Sequence, residues 1–544
     1  MAIHWVAFAK RAARRTCSTV RATIWPVKRV LFLLASLAAC HPHPGGGAPE
    51  TAPRLVVLVV IDQWPEWSFE AKRPAFHAGF ERLVSDGEWH LGHHPSAATL
   101  TAPGHALLGT GEPTSRSGIL ANEWWHRDLG VMLKAVEGED GKPTSKWLRV
   151  PGLGDSIVAA HSGAKAVAVS LKERASILPL GHAGTPIWYD PRATKWTTLG
   201  AEPAWLAAWN VSHPVVARER EIWTPIDAVQ LAALAGVPDD RPGELGIHGF
   251  GAAFPHDPAA TGKHIHEALF AMPLGNEVVL ETAIGAVEGS GLGTDQTPDL
   301  LVVSLSAHDY IGHGWGHESW EMWDSELRLD QQLAHFLDDL DRTVGAGRWA
   351  MIVTSDHGAS PLPETIGGGR MTHAQIQTAA NNAAAAVLGP GQWIDNAHYP
   401  NVFFSKAMLA QPKGELDSAT KRVIFALRSF PGIERVDRVS SFAGNCDKRT
   451  GTAHTLCETF DPERSGDLFY LPAKGWIMMD EDEPAATAHG SMQDYDQLVP
   501  LIIIEPGAHK HLPETSPGTE IEMTGVSTML AHWLGVTPPL ALAR

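Results

Sequence analysis

"RWAMIVTSDHG" spans residues 348–358, and its unbroken apolar run stops at Asp356-His357-Gly358. Such a run reads as a strand buried on both faces, because a half-solvated strand alternates apolar with polar positions. Three further stretches have the same form: "RLVVLVVID" (54–62), "DLLVVSLSAHDYIGH" (299–313) and "QLVPLIIIEP" (497–506). Between them lie helical patterns such as "SWEMWDSELRLDQQLAHFLDDLDRTV" (319–344), with apolar residues three and four apart. Strands alternating with helices predict an α/β fold, a doubly wound and mostly parallel sheet flanked by helices. Ligands bind such sheets beyond the carboxyl ends of the strands. Asp62, Asp309 and Asp356 all follow a strand end of this kind.

The chain has 544 residues, of which 44% are hydrophobic. That suffices for one large α/β domain with insertions, or for about two to four smaller ones. Lys and Arg number 43 against 61 Asp and Glu, a net charge of −18. The balance excludes nucleic acid as a bulk partner, since phosphate-backbone binding needs a basic face. A small anionic substrate stays open, because a site can be locally positive in an acidic protein. A catalytic core is expected in three parts, 54–184, 296–374 and 481–544. Residues 185–295 and 375–480 are richer in Gly, Pro and Trp and are expected as cap insertions around the site.

Residues 1–40 read as an export signal. Lys10, Arg11, Arg14, Arg15, Arg21, Lys28 and Arg29 precede the apolar run "VLFLLASLAAC" (30–40), which is too short to span a bilayer. "LAAC" at 37–40 resembles a bacterial lipobox, implying cleavage before Cys40 and a lipid on its thiol; a plain secretory signal cleaved near Ala39 is the alternative. His41 is not the acidic residue associated with inner-membrane retention. The expected location is therefore periplasmic, as an outer-membrane lipoprotein held only through Cys40. Residues 41–53 ("HPHPGGGAPETAP") read as a flexible tether. Cys17 and Cys40 fall in the signal, which leaves Cys446 and Cys457 to close a short loop as a disulfide in an exported protein.

The polar groups at the strand ends, with His489 from "TAHGSMQDYD", make a set of Asp62, Asp309, His313, Asp356, His357 and His489. Carboxylates and imidazoles suit Zn²⁺. Six ligands exceed one tetrahedral zinc, so two metals are expected, an arrangement that clamps both oxygens of a phosphoryl transfer. Asp309 and His313 are one helical turn apart and share a face. "SAATLTAPGHALLGTG" (96–111) offers Ser96, Thr99 and Thr101 as nucleophiles, with Pro103 suited to the first turn of a helix whose N–H groups attract phosphate. Each residue alone has a plainer reading. Asp356-His357 could be a strand-end turn, Asp62 a helix cap, His489 a loop residue, Asn122 a turn, and Lys172 with Arg174 a solvated strand face. Their joint occurrence in one chain favours a site.

Taken together, these motifs resemble the alkaline phosphatase superfamily, and within it the bacterial zinc phosphatases with a threonine nucleophile (PafA-type), neighbours of the nucleotide pyrophosphatases/phosphodiesterases. The resemblance rests on Asp62, "TAPGH" (101–105), "GILANEWW" (118–125), "SLKERASILP" (170–179), "HDYIGH" (308–313), "SDHG" (355–358) and "AHGS" (488–491), in this order across most of the chain. It implies an alkaline phosphatase-like fold. Thr101 matches a nucleophile that also contacts metal. Asp62, Asp356 and His357 match the ligands of one zinc, and Asp309, His313 and His489 those of the other. Asn122 matches a donor to a phosphoryl oxygen, and Lys172 and Arg174 a basic pair on the non-bridging oxygens that diesterases generally lack. Sulfatases carry C/S-x-P-x-R, whereas Thr101 is followed by Pro103 and His105. Ala307-His308 stands where small hydroxyl residues are usual, which leaves the outer hydrogen bonding of the ligands open.

The implied activity is hydrolysis of small phosphate monoesters through a phosphothreonine at a di-zinc site, with Mn²⁺ or Fe also compatible with N/O ligands. A monoester keeps an extra unesterified oxygen whose charge persists in a loose transition state, and Lys172 and Arg174 would meet it. A phosphodiesterase or nucleotide pyrophosphatase on the same fold is the first alternative. A non-catalytic envelope lipoprotein binding metal or a phosphorylated ligand is the second.

Overall fold

The structure, a computed structural model, describes residues 52–481, 483–507 and 516–542. The expected signal, the lipobox cysteine Cys40 and nearly all of the tether lie outside the described residues. No helix among the described residues is long and apolar enough to cross a membrane.

One nine-stranded sheet organises the chain. Its order is Glu520–Glu522, Glu88–His93, Leu498–Ile504, Trp349–Thr354, Leu55–Ile61, Asp299–Leu305, Ala166–Ser170, Thr185–Asp190 and Lys195–Thr198. Leu55–Ile61 lies in the middle, parallel to both neighbours, with Val57 level with Met351 on one side and Leu301 on the other. Successive side chains point to opposite faces of a strand. Leu55, Val57, Val59 and Ile61 accordingly join one core with Trp64, Phe69 and Leu333, while Val56, Leu58 and Val60 join another with Leu107, Leu108 and Leu530. Each such buried side chain stabilises by about 1.5–3 kcal/mol. A polar residue in this strand would therefore face a core whichever way it pointed. The sheet is the doubly wound, mostly parallel α/β sheet read from the apolar runs.

Two expectations need correction. Leu498–Ile504 is antiparallel to both of its neighbours. Apolar continuity reports burial on both faces and carries no direction; here the chain enters the strand from the carboxyl edge of the parallel strands, where His489 lies, and runs back. The sheet also continues beyond residue 184. Thr185–Asp190 extends it in parallel, Lys195–Thr198 returns antiparallel, and the helix Pro273–Ser290 covers it through Val279, Ala283 and Ala286. The Trp residues that mark 185–295 as cap-like include Trp196, which is core together with Tyr189. Residues 375–480, by contrast, build a separate layer. A four-stranded antiparallel sheet (Ile394–Asn396, Asn401–Phe404, Leu468–Pro472, Ile433–Arg438) packs with the helices His373–Leu388 and Lys413–Arg428 around its own core. Cys446 and Cys457 form a disulfide in this layer, with Cα atoms 5.4 Å apart.

Candidate active site

Asp62 follows the end of Leu55–Ile61, and Asp356-His357 follow the end of Trp349–Thr354. Asp299–Leu305 leads through Ser306 into the helix Ala307–Trp315, which carries Asp309 and His313 on adjacent turns. His489 comes from the loop before Leu498–Ile504. The structure thus gathers all six residues at one sheet edge. Asp62, Asp356 and His357 offer ligand atoms within 4.8 Å of one another, and so do Asp309, His313 and His489. The two trios adjoin, since the rings of His357 and His489 stack with centroids 3.5 Å apart.

Thr101 opens the helix Thr101–Thr110, all of whose residues are buried. Its Oγ1 lies 3.3 Å from His357 Nε2. The residue before it, Leu100, has no side chain able to cap the helix, and Asn122 supplies the acceptor instead, its Oδ1 receiving the Ala102 N–H at 2.8 Å. That use of Oδ1 leaves the Asn122 amide N–H groups for a ligand. Thr99, the rival nucleophile, is engaged elsewhere: its hydroxyl faces the Ser491 carbonyl at 3.4 Å and its own carbonyl meets His489 Nδ1 at 2.7 Å. Gly104 lets the helix close on the Asp356 backbone, because a Cβ there would sit 2.3 Å from the Asp356 carbonyl oxygen.

Lys172 departs from its expected place. The resemblance implies substrate oxygens as its partners, and in this structure its Nζ donates to Asp62 Oδ2 at 2.7 Å and Asp309 Oδ2 at 2.6 Å, one carboxylate from each trio. Electrostatics explain this: three carboxylates buried together attract the one ammonium within reach. Arg174 lies in the first turn of the helix Glu173–Leu180, and its charge interacts with Asp62 and Asp309 of the trios. It lines a cavity of about 720 Å³ shared with Lys172, Trp188 and Tyr310, and its buried Nε has no hydrogen-bond partner among the described residues.

Burial, reinforced by the charges of Asp356 and Asp309, raises the Asp62 carboxyl well above its ordinary range in spite of Lys172. Burial also opposes ionisation of Asp309, but Lys172 and His313 outweigh it and hold that carboxyl well below the usual range. Burial likewise disfavours Asp356 as an anion, and His357 and His105 overcome it. His357 and His489 are pushed down by burial, toward the neutral form that binds metal. Asp62 Oδ1 is buried without a hydrogen-bond partner. Three carboxylates, three imidazoles and a single ammonium leave unmet negative charge, so the donor set fits two divalent cations.

Several supporting residues escaped the sequence reading. Gln63 donates from Nε2 to Asp309 Oδ1 at 2.8 Å and from its backbone to Asp356 Oδ1 at 3.2 Å, so one residue touches both trios. His105 Nδ1 lies 3.1 Å from Asp356 Oδ2 and 3.0 Å from the Thr101 carbonyl. His308 spans the Asp62 carbonyl (2.9 Å) and Glu326 (3.0 Å), and Lys72 neutralises Glu326 at 3.0 Å. This answers the open question at Ala307-His308: an imidazole–carboxylate pair takes the place of a hydroxyl. The spacing of His105, one turn after Thr101, was a usable signal; that of Gln63 was not.

A mostly parallel sheet with paired Asp/His trios beside a helix-start threonine defines an alkaline phosphatase-like α/β protein. The family described as type I phosphodiesterase / nucleotide pyrophosphatase matches residues 56–496, and the chain belongs to it, within the alkaline phosphatase superfamily. Alkaline phosphatase PafA of Elizabethkingia meningoseptica is 28% identical over 483 residues, covering 83% of this chain and 87% of that protein. Alkaline phosphatase PhoV of Synechococcus elongatus is 27% identical over 486 residues, covering 84% and 86%. The crystal structure of wild type alkaline phosphatase PafA superposes with a TM-score of 0.79 at 25% identity, covering 91% of this chain and 97% of that one.

Proposed function

We propose that the chain hydrolyses small phosphate monoesters through a phosphothreonine on Thr101, with two divalent cations, Zn²⁺ by preference, held by the two trios. One observation carries the reading: Thr101 Oγ1 stands 3.3 Å from His357 of one trio, whose ring stacks on His489 of the other. The relatives named alkaline phosphatases support it. Bound Zn²⁺ supplies Lewis-acid charge and brings the pKa of a hydroxyl toward neutrality.

The remaining work falls to the chain. The helix start and Asn122 orient the phosphoryl group against Thr101. The Thr101 hydroxyl gives up its proton to water, its oxygen forms a bond to phosphorus while the ester P–O bond breaks, and the leaving oxygen takes a proton from water. Water then attacks the phosphothreonine, which releases inorganic phosphate and restores the hydroxyl. Negative charge stays on the peripheral oxygens throughout. With cations on Asp62 and Asp309, Lys172 is released from those carboxylates to join Arg174 in placing fixed positive charge there, where a diester carries a neutral substituent. The cavity beside Arg174 accepts the leaving group.

The test compares turnover of p-nitrophenyl phosphate with its bis-ester and looks for phosphate on Thr101 by mass spectrometry after acid quench. Faster diester cleavage overturns the monoester reading, and monoesterase activity surviving in Thr101→Ala overturns the nucleophile. The family match to phosphodiesterases favours diester cleavage as the second reading. The same proposal places the protein outside the inner membrane, anchored through Cys40, with no nucleic-acid partner.

A further inference from the structure

Further groups of side chains within ligating reach of one another lie away from the two trios. His373, His398 and Asp480 each offer one ligand atom within 4.8 Å of the others. The two imidazole rings stand 4.0 Å apart. His373 Nδ1 is 3.0 Å from Asp480 Oδ1, while its Nε2 is buried without a hydrogen-bond partner. Glu123 Oε1 approaches His398 Nε2 at 3.7 Å. Among the described residues, the ion pairs of Asp480 and Glu123 are with these two histidines alone. The contrast with His308, His317 and Glu326 is instructive. Those three also come within ligating reach, but the Lys72 ammonium already neutralises Glu326, and the Asp62 carbonyl already engages His308. Among the described residues no Lys or Arg forms an ion pair with Asp480 or Glu123, although the charges of Lys134 and Arg174 reach Glu123. Burial holds His398 neutral at physiological pH, its pKa pushed down to about 3, and the neutral imidazole is the ligating form.

We propose that His373, His398 and Asp480, with Glu123 as a fourth group, form a third site for a divalent first-row transition ion such as Zn²⁺. Two imidazoles with carboxylates are a donor set suited to such ions. The four residues come from separate places: the strand beginning at Glu123, the helix beginning at His373, the loop before Asn401 and the segment after Met479. An ion there joins the 375–480 layer to the strand next to Asn122, and so steadies the side chain that caps the nucleophile helix. This goes beyond the hydrolytic reading and rests on it only for the two equivalents that the trios contribute to a metal count.

Chelator-stripped full-length protein is loaded with Zn²⁺, desalted and assayed for bound metal by mass spectrometry. Three equivalents per chain are expected in the wild type, and two in the double variant His373→Gln/His398→Gln. Equal metal content in the wild type and the double variant overturns the proposal, whereas a wild-type total below three with the one-equivalent difference intact counts against the trios instead. If the double variant does not fold, Asp480→Asn carries the same comparison. Asp356→Asn separates this site from the trios: it lowers the core count and leaves in place the equivalent that depends on His398.

Discussion

An alanine at position 104 would carry its Cβ 2.3 Å from the Asp356 carbonyl oxygen, 2.9 Å from Asp356 Cβ and 3.0 Å from the Asp356 carbonyl carbon. Carbon contacts relax near ~3.5 Å. The start of the Thr101–Thr110 helix and the end of the Trp349–Thr354 strand must therefore separate by about 1 Å. Two of the three opposing atoms are backbone, so no rotamer change gives relief. Overpacking of this kind costs about 1–3 kcal/mol, and the preference of a helix for Ala over Gly returns up to about 1 kcal/mol. Net destabilisation is thus modest. Catalysis loses more, because Thr101 lies on the same turn and a 1 Å misplacement costs about 10²-fold. The assay is kcat on p-nitrophenyl phosphate at saturating metal, alongside a thermal melt. A roughly hundredfold loss of kcat in a folded Gly104→Ala protein is expected. Wild-type kcat in that variant would refute the claim that this contact sets the position of Thr101.

Lys172→Ala should lower kcat/KM on monoesters by about 10²–10³, as removal of one electrostatic donor does. It should also destabilise the chelated protein by about 3–5 kcal/mol, the cost of stripping a buried ion pair of one partner, and the metal-loaded protein by much less; equal losses in both states would contradict the counter-ion role. Asp496 is buried, and that burial pushes its carboxyl up to about 7. The folded state therefore binds the proton more tightly than the unfolded one, and stability falls as pH rises from about 4 through 7, by up to about 4 kcal/mol. Urea unfolding at pH 5 and pH 8 should show a smaller drop in Asp496→Asn than in the wild type; an unchanged drop counts against this assignment. Cys40→Ala should move the protein from the membrane fraction to the soluble periplasmic fraction, and membrane retention would speak against lipidation there.

The sheet and the pool of six candidate ligands were legible from local signals, while the division into two trios came from the family resemblance. Val-, Ile- and Leu-rich runs report two-sided burial, and an Asp just past each run sits where such sheets bind ligands. The Asp309/His313 spacing encodes a helix face directly. Strand direction was not legible: Leu498–Ile504 reads like its parallel neighbours, and only its entry from the site edge reverses it. Nor was the inward turn of Lys172, which follows from the summed field of carboxylates that come from positions 62 and 309, hundreds of residues apart in sequence. His308 with Glu326, and Gln63 across both trios, are pairings between elements, invisible until the elements pack.

His105 is a small part with a wide reach. Its imidazole abuts the Thr101 carbonyl, the Asp356 carboxylate and, at 2.9 Å, the hydroxyl of Ser304 in the strand that leads to Asp309. One ring therefore rivets together three stretches of chain that share no other covalent or sequential tie. Any breathing of the sheet edge must carry all three along or break the rivet, so the reacting oxygen and the acids around it shift as a single plate.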